Sequence, residues 1–250
     1  MKKKVFATVL AGMMALSLTA CGNADSTAPE ENGSGTQTAA GSYTVGICQQ
    51  MQHAALDSAT QGFQDKLKEL ITADGGEVEF EVENASGESA NCASIINGFV
   101  SSNVDLIMAN ATAALTAAAS ATADIPILGT SITAYGVALD LDDFDGTVGG
   151  NISGTSDLAD LSQQADMITE WFPEAKKVAL LFCSAEPNSS YQIQEVATCL
   201  ANKGIETKEF AFTDSNDVAS VTQSAADYAD VVYLPTDNIA ASNTEAIANI

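Results

Sequence analysis

Side chains suited to ligand binding follow most of the strand-like runs of this sequence, but they form no recognisable catalytic set. His53 is the only histidine, so a Ser-His-Asp or Cys-His arrangement would have to use it, and no GxSxG nucleophile motif accompanies it. Because the sequence contains no arginine, a bound carboxylate would have to be held by hydroxyls, backbone N–H groups or helix N-termini. These features predict non-covalent binding of a small molecule and argue against an enzyme. The candidate ligand-binding residues are His53, Asn110, Thr112, Thr130, Ser131, Thr133, Thr155, Ser156, Asp157, Glu186, Asn188, Ser189, Thr236 and Asp237.

The acidic candidates and His53 each admit two interpretations. Asp237 and Asp157 are the best partners for the ammonium group of a zwitterion, and Asp57 and Glu186 come next. The alternative is that these residues are helix N-caps, which favour the same residue types. His53 would either bind a ligand at the rim of the site or cap the helix that follows it.

A different kind of chemistry is predicted at Cys21. Three lysines, an apolar stretch over residues 5–18 and the small residues Thr19 and Ala20 precede this cysteine. This pattern predicts a lipoprotein signal peptide over residues 1–20, with a diacylglycerol attached to the Cys21 thiol. The alternative is an ordinary secretory signal with a chance cysteine. We expect an exported protein anchored by lipid to the outer face of the cell membrane, with residues 21–42 as a flexible linker.

Charge and cysteine content exclude several classes of partner. The net charge is −24, so nucleic acid is not an expected partner, because binding to its phosphates needs lysine or arginine. A single histidine rules out a His-rich zinc site, and no cofactor or metal is expected. The remaining cysteines form no CxxC pair. Export permits a disulfide among them, but the apolar runs around Cys48 and Cys183 favour free thiols. The other two are Cys92 and Cys199.

Strand and helix patterns alternate from residue 43 onward. This alternation predicts an α/β fold with two Rossmann-like lobes of parallel sheet, lobe 1 over residues 43–154 and lobe 2 over residues 155–250. The candidate residues would then meet at a cleft beyond the carboxyl ends of the strands. The second lobe has fewer strands, and we expect it to be incomplete at its C-terminal side. The strand-like runs are 43–48, 77–83, 104–109, 125–129, 178–183, 205–212 and 231–235.

Aromatic residues near the predicted cleft are few. Trp171, at the end of a helical pattern, is expected to seal the core of the second lobe. Tyr135 and Tyr191 lie in or near the cleft loops and are weaker candidates for an aromatic wall.

Three segments carry a family resemblance: 53–57 (HAALD), 150–157 (GNISGTSD) and 235–238 (PTDN). With them the chain resembles substrate-binding lipoproteins of ABC transporters, in the tryptophan/tyrosine group, whose fold is like that of type I periplasmic binding proteins. The resemblance implies capture of a small ligand, an aromatic amino acid, and its delivery to a membrane permease. We expect a monomer. A rival interpretation is a sensor that presents its ligand to a membrane receptor.

Two departures from the family pattern lie at the predicted cleft. Ala113 follows Thr112 where the family has proline, and Ala134-Tyr135 replaces an Asp-Pro pair. These changes leave the identity of the ligand open.

Overall fold

Two parallel sheets organise the protein, for which a computed structural model describes residues 41–250. The predicted signal peptide, Cys21 and the linker as far as residue 40 lie outside the described residues. Within residues 41–250, no helix has the length and apolar character needed to cross a membrane.

The first sheet has five parallel strands in the order β2-β1-β3-β4-β5. Its strands are β1 Ser42–Gln49, β2 Glu77–Asn84, β3 Leu106–Asn110, β4 Ile127–Ile132 and β5 Ile152–Ser156. The helices among them are α1 Ala54–Ala73, α2 Ser89–Ser102, α3 Thr112–Ala121 and α4 Tyr135–Ala138.

The second sheet has three parallel strands in the order β7-β6-β8. The lobe boundary predicted between residues 154 and 155 falls inside β5, so Thr155 and Ser156 belong to a strand of the first sheet. The elements of this half are α5 Leu161–Trp171, β6 Lys177–Cys183, α6 Pro187–Asn202, β7 Glu206–Phe212, α7 Val218–Tyr228, β8 Val231–Tyr233, α8 Asn238–Ser242 and α9 Thr244–Ala248.

The central strands are apolar on both faces because helices cover both sides of each sheet. In β1, Val45 and Ile47 are buried in one cluster, and Cys48 is buried in another on the opposite face. A Cβ atom at Gly46 would lie 2.6 Å from the ring of Phe99. Helix α2 therefore packs directly on β1, at a distance that only glycine permits.

One apolar cluster contains side chains from both halves of the chain. Met51, Leu56 and Ala111 follow strands of the first sheet, and they belong to the same buried cluster as Ile239 and Ala240 of α8. Within the described residues, an apolar contact near the carboxyl ends of the strands thus joins the two sheets.

The prediction that Trp171 seals a core is wrong. Its side chain is 65% exposed, whereas Leu161, Ala165 and Ile168 form the buried face of α5. Trp171 is the last residue of the helix, about one turn beyond Ile168, so it lies at the point where the packed stripe ends.

Candidate ligand-binding site

Unusual backbone conformations occur where β3 and β4 end. Ala111 has φ 82° and ψ 166°, a region occupied almost solely by glycine, and Ser131 has φ 56°. The Ala111 N–H donates to the Thr130 carbonyl at 3.0 Å, so the two strained segments are bonded to each other. Such strain is maintained only by surrounding structure, and it is concentrated at functional sites.

A cavity of about 370 Å³, the α3–α6 cavity, lies between α2 and α3 of the first half and the start of α6 in the second. Three of the predicted residues line it: Thr112, Glu186 and Asn188. Gln50 also lines it, and its Oε1 accepts the N–H of Ala113 at 3.0 Å, which caps the start of α3. Alanines supply much of the remaining wall, namely Ala93, Ala113, Ala117, Ala121 and Ala185.

Asn188 presents an acceptor without a protein partner at this cavity. Its side chain is only 3% exposed, and its Nδ2 donates to the Thr236 carbonyl at 3.1 Å. The Oδ1 atom is buried and accepts no hydrogen bond from the described residues. Because a buried polar atom without a partner is costly, this oxygen makes Asn188 a candidate ligand contact, and Oδ1 of Asn110 likewise has no partner among the described residues.

Glu186 is a buried carboxylate whose side chain caps α8 but makes no capping bond to α6. It is the N-cap residue of α6, and its oxygens accept the backbone N–H groups of Asn238 and Ile239 at 3.1 and 3.2 Å. The Asn238 side-chain nitrogen also donates to it at 2.8 Å. Burial raises the pKa of Glu186 to about 7, and the negative charge of Asp237 contributes to the same rise.

Asp237 uses both carboxylate oxygens within the protein. Oδ2 accepts the Cys183 N–H at 2.7 Å, and Oδ1 accepts the Ala240 N–H at 2.8 Å. The side chain therefore ties the end of β6 to the start of α8. This is the helix-capping role that the sequence left open beside ligand binding.

His53 connects the two halves of the chain. It stands at the N-cap position of α1 without a side-chain capping bond, and its Nε2 lies 3.2 Å from Oδ1 of Asn238. Because the Asn238 side-chain nitrogen donates to Glu186, its oxygen is the acceptor and His53 the donor. A chain of hydrogen bonds thus runs from His53 through Asn238 to Glu186.

The other predicted residues are distributed over two further cavities or lie away from all three. An α8 cavity of about 470 Å³ is lined by His53, Thr236 and Asp237. A β5 cavity of about 740 Å³ is lined by Thr133 and Ser156, together with Tyr135 and Tyr191. The residues that line none of these cavities are Asn110, Thr130, Ser131, Thr155, Asp157 and Ser189.

Two of those outlying residues have clear structural surroundings. Asn110 is fully buried, and its Nδ2 donates to the Leu56 carbonyl at 2.9 Å and to Thr60 at 3.0 Å. Asp157 is exposed, and its backbone N–H donates to Ile132 at 3.1 Å. Asn110 thus fixes α1 against the end of β3.

Several lining residues were not selected from the sequence. Gln50 lies in the loop after β1, where its position alone could have indicated it. Ser89 and Thr116 line the α3–α6 cavity from within helices, where small polar residues carry no such signal. Within residues 41–250, no group of three or more His, Cys, Asp or Glu side chains is placed to hold a metal ion.

Known proteins resemble this chain over nearly all of its length. Residues 44–250 match the family described as ABC transporter substrate binding protein. A tyrosine-binding protein of Clostridioides difficile strain R20291 is 30% identical over 252 residues, which cover 99% of this chain and 72% of that protein.

Two solved structures differ in how closely they superpose. An ABC domain from Streptococcus pneumoniae in complex with L-Trp is 30% identical, with a TM-score of 0.74 covering 82% of this chain and 69% of the other. The ligand-free, open structure of a substrate binding protein with adhesive properties from Clostridium difficile is 32% identical. It covers 83% and 70% of the two chains with a TM-score of 0.57. Because identity and coverage are nearly equal, the TM-scores show that this chain as a whole superposes more closely on the L-Trp complex than on the open structure.

These structures also confirm the predicted fold. The chain has the α/β architecture with parallel sheets of the type I periplasmic binding proteins.

Proposed function

Because this chain belongs to the ABC transporter substrate-binding protein family, we propose that it is the solute-binding lipoprotein of an ABC importer. It captures an aromatic amino acid between its two lobes and delivers it to a membrane permease. The observation that carries this proposal is the α3–α6 cavity, where a buried acceptor of Asn188 without a protein partner lies between the two halves of the chain.

The two ends of an amino acid fit different parts of this cavity. The N-terminus of α3 borders it, and a helix N-terminus favours a carboxylate, which suits a chain without arginine. An ammonium group would donate to Oδ1 of Asn188, next to the Glu186 carboxylate. The geometry therefore favours a zwitterion over a simple anion or cation.

The wall of the cavity favours a flat apolar side chain. Alanines line α2 and α3 there, and small side chains leave room that bulkier residues would fill. The tyrosine-binding relative and the L-Trp complex support the same ligand class. Ala113, which lines the cavity, departs from the family pattern, so the order of preference among aromatic amino acids is a property of this chain.

Titration calorimetry on the full chain tests the proposal. We expect L-Trp, L-Tyr or L-Phe to bind and to raise the melting temperature, because a ligand that binds only the native state stabilises it. L-Lys and L-Glu serve as matched amino acids of the wrong side-chain chemistry. If none of the twenty amino acids binds, the proposal fails.

Two analogues and one variant locate the ends of the ligand. Asn188→Ala should weaken L-Trp binding by roughly tenfold or more, equivalent to about 1.4 kcal/mol. It should leave 3-indolepropionate, which lacks the ammonium group, unaffected. Ser94→Ala is the control, since Ser94 is exposed and bonds only the carbonyl of Ala90. Equal losses for both compounds would assign Asn188 a purely structural role.

The anchoring part of the proposal rests on Cys21 and the residues before it. Cys21→Ser should move the protein from the membrane fraction into the soluble exported fraction of its host. Retention in the membrane fraction would overturn lipid anchoring while leaving ligand binding unaffected.

A further inference from the structure

Two buried thiols contact each other in the core of the first half. Cys48, near the end of β1, and Cys92, near the start of α2, are both fully buried and belong to the same apolar cluster. Hydrogen bonding between the two thiols raises the pKa of Cys48 and lowers the pKa of Cys92.

The register of the two elements explains the contact. Gly46 lies against Phe99, and Cys48 is two residues further along β1 on the same face. Cys92 lies seven residues before Phe99, two helical turns away on the same face of α2. Because the helix runs antiparallel to the strand, both steps lead toward the carboxyl end of β1, where the sulfurs meet.

We propose that Cys48 and Cys92 form a disulfide when the chain folds under oxidising conditions, and that this bond fixes β1 to α2 at the wall of the α3–α6 cavity. The support is that both thiols are buried in one apolar cluster, on two elements that pack directly on each other. Cys183 and Cys199 have no such arrangement, since they lie in different apolar clusters of the second half.

The chemistry needs a disulfide oxidant such as oxidised glutathione. The thiolate of one cysteine attacks a glutathione sulfur, which forms a mixed disulfide and releases one glutathione. The other cysteine then loses its proton and attacks that mixed disulfide, which forms the Cys48–Cys92 bond and releases the second glutathione. The protein loses two electrons and two protons, and the oxidant is reduced to two thiols. Because both sulfurs are buried, the first step precedes the packing of α2 on β1.

The bond would join two elements that form the ligand cavity. Gln50 caps α3 and lines the α3–α6 cavity only two residues after Cys48. Ser89 and Ala93, on either side of Cys92 in α2, line the same cavity. The covalent link therefore fixes the distance between two walls of the site before any ligand binds.

Formation of this bond in the cell depends on the proposed function, because a chain meets oxidising conditions when it is exported. The experiment does not need export. The full chain is unfolded, reduced and refolded in a mixture of oxidised and reduced glutathione. It is then quenched with acid, unfolded in guanidinium near neutral pH and labelled at once with excess N-ethylmaleimide, with or without prior reduction, and the labelled peptides are mapped by mass spectrometry.

We expect Cys48 and Cys92 to be labelled only after reduction, whereas Cys183 and Cys199 are labelled in both samples. Cys92→Ser should make Cys48 reactive without reduction, and Cys199→Ser should leave the pair intact. Labelling of Cys48 and Cys92 without reduction, or a peptide linking either one to Cys183, would overturn the proposal. The wild-type map decides the question even if Cys92→Ser does not fold. Ligand binding is measured separately, so failure of the proposed function would leave this result intact.

Discussion

Nε2 of His53 donates to Oδ1 of Asn238 across 185 residues of sequence, at a distance of 3.2 Å. His53 precedes α1 beside the first sheet, whereas Asn238 begins α8 beside the second, so the bond can form only when the two halves are close together. Asn238 is in turn held by Glu186, which lines the α3–α6 cavity. The three residues therefore couple the contact between the two halves to the proposed ligand site.

Removing the imidazole of His53 should weaken the contact between the two halves. In the full chain we expect His53→Ala to lower ligand affinity about two- to tenfold, the range of one hydrogen bond. Small-angle scattering of the free protein should show a larger radius of gyration. The losses from His53→Ala and Asn238→Ala should not be additive in the double variant, because both remove the bond between the two side chains, and Asn238→Ala also removes a donor to Glu186. Ser58→Ala, which removes only a bond to Ala54 on the exposed side of α1, is the control. Fully additive losses from His53→Ala and Asn238→Ala would show that the bond between them does not hold the two halves together.

Glu186 should make stability depend on pH. Its pKa is about 7 in the folded protein, above the ordinary value of 4.5, so the folded state holds more protons between these values. The free energy of unfolding should therefore fall as pH rises from about 4.5 to about 7, by on the order of 3 kcal/mol. Above pH 7 this contribution is lost and the slope should level off. Denaturation of Glu186→Gln across this range should lack that slope.

The matched control is Glu88→Gln, because Glu88 is the N-cap residue of α2 as Glu186 is of α6, but it is exposed. It should leave the pH profile unchanged. A profile equally steep in wild type and Glu186→Gln would show that another group titrates.

Removing the side chain of Asp237 should mainly lower the stability of the protein. Asp237→Ala removes the acceptor of the Cys183 N–H and the N-cap of α8 together, so we expect a loss on the order of 2–4 kcal/mol in urea denaturation. Asp217→Ala is the control, since Asp217 precedes α7 without a capping bond and is exposed. Unchanged stability together with weakened binding would restore Asp237 as a direct ligand contact.

Strain at Ala111 should be measurable by substitution. Glycine adopts φ 82° and ψ 166° freely, so Ala111→Gly should stabilise the protein by about 1 kcal/mol despite the greater freedom of glycine in the unfolded chain. Ala119→Gly, within α3, should instead destabilise it by about 1 kcal/mol. If both variants lose stability equally, the backbone at Ala111 is not strained.

How far the sequence predicts the fold depends on the element. The buried strands β1 and β6 are continuous apolar runs, so their pattern alone indicates them. Strand β5 reads ISGTS, with three polar residues and a glycine, and its conformation depends on neighbours. A Cβ atom at Gly154 would collide with the Gly129 carbonyl and the Tyr135 hydroxyl, a long-range contact that no local pattern contains.

The candidate site divides in a similar way. Thr112, Glu186 and Asn188 line one cavity, as expected for residues that follow parallel strands, because the carboxyl ends of such strands meet at one edge. Their individual roles could not be predicted, since a residue that caps a helix and one that binds a ligand have the same chemistry. Asp237 and Asn188 differ only in whether the surrounding backbone already supplies their partners.

The cluster shared by Met51, Leu56, Ala111, Ile239 and Ala240 gives ligand binding a thermal signature. Separating the two halves would expose these apolar side chains to water, and their reburial lowers the heat capacity. If the free protein is open, the binding enthalpy should become steeply more negative as temperature rises. If the two halves of the free protein already share this apolar cluster, the binding enthalpy should change little with temperature. Calorimetry at several temperatures therefore reports the resting arrangement of this protein, through the water that its closure releases.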